Sequence, residues 1–174
     1  MNQGKLVLLG LPLGNVEDLT QRAKKAITEG KWFVVEDTRH FKSLLNHLGI
    51  SVKEKSFLSY HDHSSDKVLD NIFKWISEGK TVYMASDAGS PVIADPAFPV
   101  LKKLKEKNLS WDVLPGISSV IVSLELSGLP TNPMHFYGFY PRETTKQNTL
   151  MDSISQTYGT HILFESPHRI VKTV

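Results

Sequence analysis

Hydrophobic and polar positions follow two rhythms along this chain. Short apolar or β-branched runs at Leu6–Leu9, Trp32–Val35, Ser56–Tyr60, Thr81–Ala85 and Trp111–Leu114 read as strands, the third being the weakest. Between them the apolar residues keep helical spacing. Leu19, Ala23, Ala26 and Ile27 predict a helix capped by Asn15 and stopped by Gly30. Phe41, Leu44, Leu45 and Leu48 predict a second, closed by Gly49. Val68, Leu69, Ile72, Phe73 and Ile76 predict a third, from Ser65 to Gly79, and a fourth lies near 100–107. Strand and helix alternate, which implies a mostly parallel sheet covered on both faces. Pro115-Gly116 breaks the rhythm and is the expected boundary, giving segments 1–115 and 116–174. Beyond it Ile117–Leu126 reads as a helix, Met134–Tyr140 as an alternating strand, 141–158 as a polar loop and helix, His161–Phe164 as a strand, and Pro167–Val174 as a helix start.

Composition narrows the class. The 174 residues are 40% hydrophobic and 22% charged, which is ordinary for a globular chain and argues against disorder. The absence of cysteine excludes disulfides, thiolate metal sites, iron–sulfur clusters and a cysteine nucleophile. Twenty basic and 18 acidic residues leave a net charge of +2, too little to demand or exclude RNA. The apolar run at 6–9 is too short for a signal peptide or a membrane span, so a cytoplasmic protein is expected. No dinucleotide fingerprint, Walker loop or nucleophile elbow occurs. The histidines show no strong metal spacing. His61-Asp62-His63 reads as a surface loop, His135 as a strand-face residue, and the lysines of 102–107 as a solvated helix face.

Three loops carry the chemistry: Leu11-Pro12-Leu13-Gly14-Asn15, Ser86-Asp87-Ala88-Gly89-Ser90-Pro91 and Pro115-Gly116-Ile117-Ser118-Ser119. Each follows a strand. In a parallel sheet they line up along the carboxyl edge, where ligands bind. Small residues there let a ligand approach the backbone closely. Glu36-Asp37-Thr38-Arg39-His40 also ends a strand, and its Asp37 could equally cap the following helix. Glu165-Ser166-Pro167-His168-Arg169 looks like the same device later in the chain, with Ser166 a possible cap and Pro167 at the first helical position.

These strings, with Ser86–Asp95 and Pro96, Ser127-Gly128-Leu129-Pro130-Thr131 and Gly138-Phe139-Tyr140-Pro141-Arg142, resemble the tetrapyrrole methylase superfamily of S-adenosylmethionine-dependent methyltransferases. The matches run in family order from residue 6 to 169. Glu36-Asp37-Thr38-Arg39, Ser86-Asp87-Ala88-Gly89 and Glu165-Ser166-Pro167-His168-Arg169 together resemble the branch that acts on small-subunit ribosomal RNA. Leu11 stands where threonine is usual, and Ala97 where glycine is usual. The family continues beyond the last string, so the resemblance makes the second α/β domain look incomplete.

The resemblance implies a two-domain α/β fold with S-adenosylmethionine in the cleft between the domains. It implies cofactor contacts from Pro12, Asp87, Ala88, Gly89, Ser90, Ile93, Ser118, Ser119 and Phe139, and none from a metal. It implies transfer of a methyl group to a cytidine 2′-hydroxyl. Ribosomal RNA or the small ribosomal subunit is the expected partner, in a homodimeric protein with no membrane association. A ribose hydroxyl is a weak nucleophile and needs a base. Asp37, Asp87 and Glu165 are candidates, with Asp37 and Glu165 the expected catalytic pair. Arg39, His168 and Arg169 are the expected RNA contacts. Two other functions share these features: a tetrapyrrole C-methyltransferase on the same fold, and a non-catalytic cofactor- or RNA-binding module.

Overall fold

The computed structural model describes residues 4–61, 64–95 and 97–174. The Asp62-His63 part of the histidine loop and Pro96 of the third string lie outside the described residues. The chain divides into two compact units, the second beginning at Ser119.

The first unit is built on five strands, β1 (Lys5–Leu9), β2 (Trp32–Val35), β3 (Ser56–Ser59), β4 (Thr81–Ala85) and β5 (Trp111–Leu114), ordered β3-β2-β4-β1-β5. Every pairing is parallel. Side chains alternate across the sheet and feed two cores. Val7, Leu9, Phe33 and Val35 face α1 (Gln21–Glu29) and α2 (Thr38–His47), which bury Ala23, Ala26, Ile27, Phe41 and Leu45. Leu6, Leu8, Val34, Val82 and Met84 face α3 (Asp66–Ser77) and α4 (Ala97–Glu106), which bury Leu69, Ile72, Ile76, Val100 and Leu104. Phe33 anchors the first core, with its ring 5.3 Å from Phe41, 5.8 Å from Phe57 and 5.6 Å from Tyr83.

The start of α1 differs from expectation for a local reason. Asn15 caps only a single tight turn, Val16–Asp18, through Oδ1 accepting from Glu17 N. The α1 helix starts later, where Thr20 Oγ1 accepts from Ala23 N, because Leu19 is extended and interrupts the winding. At the other end of α1, Lys55 Nζ donates to the carbonyls of Ile27, Thr28 and Gly30 at 2.7–2.9 Å. A distant lysine thus caps the helix, and burial pushes its pKa down.

The second unit contains α5 (Ser119–Ser127), β6 (Met134–Phe139), α6 (Thr144–Ser155), β7 (Thr160–Phe164) and α7 (Ile170–Thr173). β6 and β7 pair in parallel, with a register shift between Phe136 and Phe139. Gly138 lies inside that shift at φ 72°, a conformation other residues rarely adopt. Val120 and Leu124 of α5 pack on Ile162, Phe136 and Phe164. His135 sits on β6 as expected, stacked 5.3 Å from His161, with Nε2 against the Tyr158 carbonyl at 3.2 Å. No helix among the described residues is long and apolar enough to cross a membrane.

Candidate functional site

The strand order brings three of the motif loops together. β4, β1 and β5 are neighbours, so the loops that follow them emerge side by side. The first two are joined directly: Leu11 N donates to Gly89 O at 2.9 Å and Gly89 N to Leu11 O at 3.1 Å. Gly89 has φ +66°, and a Cβ there would lie 3.2 Å from the Leu13 side chain. The chain segments that lead into the first and third loops meet backbone to backbone at Gly10 and Gly116. A Cβ on Gly10 would stand 2.6 Å from Gly116 N. Backbone-to-backbone contact of this kind admits no side chain. It explains the glycines at the ends of β1 and β5.

The first loop, the start of α2 and the loop after β4 enclose a cleft of about 600 Å³. That size suits a small organic ligand. Leu11, Pro12, Leu13, Phe41 and Leu44 form its apolar lining. His40, Ser43, His47, Asn15 and Asp87 bring polar groups to it. His40, Ser43, Leu44 and His47 share one face of α2 through their three- and four-residue spacing. Sequence reading noted His40 only as part of a string and missed Ser43 and His47, although the helical spacing was there to be read.

A hydrogen-bond chain fixes the polar end of the cleft. Asp87 Oδ1 accepts from Asp37 N at 3.2 Å, tying the end of β2 to the end of β4. Asp37 Oδ1 accepts from Arg39 N at 2.7 Å and so caps α2. Arg39 returns with Nε to Oδ1 at 3.1 Å and Nη2 to Oδ2 at 2.7 Å. Asp87 Oδ2 stands 3.7 Å from His40 Nδ1. Ser86 is buried and donates from Oγ to Ala88 O at 2.9 Å, which sets the shape of the loop after β4.

The expected site residues therefore fall into different surroundings. Pro12, Asp87 and Ala88 line the cleft, and Gly89 is pinned to Leu11, which also lines it. Ser90 and Ile93 follow in the same loop, where Ile93 N donates to Ser90 O at 3.3 Å, and Ile93 is exposed. Ser118 ends the first unit. Asp37 does not line the cleft. Hydrogen bonds from the Arg39 side chain, then from its backbone N–H, hold its carboxyl well below the usual carboxylate range. Such an anion is a weak base.

In the second unit, Ser119 opens α5 and Phe139 ends β6 with its ring exposed, 5.6 Å from that of Phe164. Glu165 follows β7, and its side chain is only 6% exposed. Its Oε1 accepts from Ser166 N at 2.7 Å, and its Oε2 accepts from Thr173 Oγ1 at 2.8 Å. Arg169 Nη2 lies 3.3 Å from Oε2 and donates to Pro141 O at 3.1 Å, while Nη1 donates to Tyr140 O at 3.4 Å. Burial pushes the Glu165 carboxyl up. The hydrogen bonds from Thr173 and Ser166 N and the charges of Arg169 and Arg142 outweigh it, and the net shift is downward. Glu165 and Arg169 thus clasp α7 and the turn after β6. His168 is exposed beside them. No cluster of three or more His, Asp or Glu residues disposed to hold a metal occurs among the described residues.

A five-stranded parallel sheet with loop-built clefts at its carboxyl edge, followed by a second small α/β unit, is an architecture shared with known methylases. The structure superimposes on diphthine synthase with a TM-score of 0.65 at 18% identity, covering 94% of this chain and 64% of that one. It matches a cobalt precorrin-4 methyltransferase with a TM-score of 0.60 at 15% identity, covering 83% and 60%. These likenesses establish the fold. The tetrapyrrole (corrin/porphyrin) methylase family matches residues 5–174, and the chain belongs to that family. Among curated proteins it is 36% identical to ribosomal RNA small subunit methyltransferase I of Thermotoga maritima over 171 residues, 98% of this chain and 75% of that protein. It is 35% identical to the protein of the same name from Halalkalibacterium halodurans over 173 residues, 99% of this chain. The chain spans 59% of the length of that relative and of the Haemophilus influenzae one.

Proposed function

We propose that this protein is an S-adenosylmethionine-dependent methyltransferase acting on RNA of the small ribosomal subunit, with a cytidine 2′-hydroxyl as acceptor. The observation that carries this reading is that His40, at the end of the string after β2, lines one cleft with Ser86, Asp87 and Ala88 of the loop after β4, while Asp87 Oδ1 accepts from Asp37 N. The named relatives, at 31–36% identity over nearly the whole chain, support the RNA substrate over a tetrapyrrole.

The cleft suits the cofactor. It has apolar walls for an adenine ring and a backbone loop for the amino acid end, and a phosphate loop is unnecessary because the cofactor carries no phosphate. When bound, the cofactor supplies an electrophilic methyl group on a sulfonium. Leu11, Pro12 and Leu13 would pack against its apolar part. The backbone of Ala88, Gly89 and Ser90, with Ile93, would hold its methionine end, joined by Ser118 from the loop after β5. The protein's work is to hold the acceptor oxygen in line with the methyl carbon and to keep water out. Arg39 has an outer surface free to meet RNA phosphate while it pairs with Asp37, and exposed His168 adds a second contact. Arg169 is committed to Glu165 and two carbonyls, so it stabilises rather than contacts RNA. A cytoplasmic homodimer is part of the same proposal.

Isothermal calorimetry with S-adenosylmethionine, combined with methyl transfer from labelled cofactor to unmethylated small ribosomal subunits, tests the reading. Binding and ribose methylation are expected. Absence of cofactor binding by the full-length protein overturns it.

A further inference from the structure

We propose that His40, oriented by Asp87, is the group that takes the proton from the acceptor hydroxyl. The proposal rests on the methyl-transfer reading above and names the base within that same cleft.

Three observations lead to it. First, the two expected carboxylate bases are occupied. Asp37 caps α2 and is bound twice by the Arg39 side chain, and Glu165 is nearly buried with both oxygens engaged. Second, His40 and Asp87 both line the 600 Å³ cleft, and the His40 side chain is 63% exposed. Third, Asp87 is oriented for a histidine. Its Oδ1 is held by Asp37 N, which leaves Oδ2 toward His40 Nδ1 at 3.7 Å. That gap is longer than a hydrogen bond, as such pairs often are before substrate closes the site. Nδ1–H turned to Asp87 makes Nε2, on the far side of the ring, the acceptor.

The step balances. The acceptor oxygen forms the new C–O bond as the methyl–sulfur bond breaks, and the bonding pair returns to sulfur. The hydroxyl proton passes to His40 Nε2. The resulting imidazolium lies beside the Asp87 carboxylate until water removes the proton. The other charged or titratable groups along this wall of the cleft are His47, about two turns further along the same face of α2, and the Asp37–Arg39 pair at the helix start.

The test compares wild type, His40→Ala, His40→Gln and Asp87→Asn in methyl transfer to unmethylated small ribosomal subunits. Calorimetric cofactor affinity and thermal midpoint are measured alongside. Both His40 variants are expected to lose about 10²–10⁴-fold in kcat, with the melting midpoint and cofactor affinity kept. Asp87→Asn is expected to lower kcat with KM and cofactor affinity kept, because Asp87 acts only through the orientation of the His40 ring. A kcat within threefold of wild type in His40→Gln overturns the proposal and leaves the methyl-transfer reading standing. No transfer and no cofactor binding by wild type overturns both.

Discussion

Two strand ends in this molecule look alike on paper and differ in space. Glu36-Asp37-Thr38-Arg39-His40 follows β2, and Glu165-Ser166-Pro167-His168-Arg169 follows β7. Each offers a carboxylate, a hydroxyl, an arginine and a histidine. After β2 the chain winds into α2, ten residues long, whose first turns face a cleft. The carboxylate caps that helix, its arginine stays on the surface, and the histidine is carried into the cleft beside Asp87. After β7 the helix is only four residues long and folds back, so Thr173 returns to the Glu165 carboxylate. There the carboxylate and arginine are consumed in holding the unit together. The lesson is that a strand-end motif is a site only when the element after it leaves polar groups facing open volume.

The largest test of this contrast compares Asp87→Asn with Glu165→Gln. Asp87→Asn should lower kcat by about 10²-fold while leaving the melting midpoint nearly in place, as steady-state kinetics and calorimetric scanning will read. Glu165→Gln should do the reverse: a midpoint lower by about 5 °C with kcat kept at temperatures well below it. Equal kinetic losses in the two would break the distinction.

Acid titration is the next. Glu165 is held below the usual carboxylate range in the folded chain, so the folded state binds its proton less readily than the unfolded state. Its contribution is complete above about pH 5 and is lost as pH falls through the ordinary carboxylate value, about 4.3, toward the folded one. Midpoints of wild type and Glu165→Gln should therefore converge as pH falls from about 5 to about 3. A constant gap would show that the carboxylate's charge plays no part in the clasp.

The smallest effect is in RNA affinity. Arg39→Ala should reduce the slope of log K against log salt by about 0.7–0.9, the share of one phosphate contact. Arg169→Gln should leave that slope unchanged and lower the midpoint instead. Fluorescence anisotropy with a ribosomal RNA fragment at several salt concentrations separates the two.

Much of the first unit was legible in the sequence. Short apolar runs and helical spacings located its five strands and four helices, because the central strands bury both faces and each helix buries one stripe of apolar side chains. The start of α1 was misplaced, since Asn15 and Thr20 are both good caps and only the extended Leu19 decides between them. The lysine cap at the end of α1 was invisible, because Lys55 lies 25 or more residues from the carbonyls it meets. Residues of three motif strings line the cleft, but the surroundings of each side chain were not legible in the letters. Asp37 and Glu165 were equivalent as letters. Their partners, Arg39 and Thr173, separated them.

By itself, then, the sequence determined the parallel α/β class, the glycine-rich loops at strand ends and the family to which the chain belongs. Those properties are local: periodicity, turn chemistry and strings of adjacent residues. The tertiary structure decided which loops meet. Strand order placed β4 between β2 and β1, and thereby set Asp87 against Asp37 and His40, fifty and forty-seven positions away in the chain. Whether a carboxylate serves as a cap, a clasp or a partner to a base depends on such neighbours, because its charge is governed by what lies within a few ångströms and not by what precedes it in sequence.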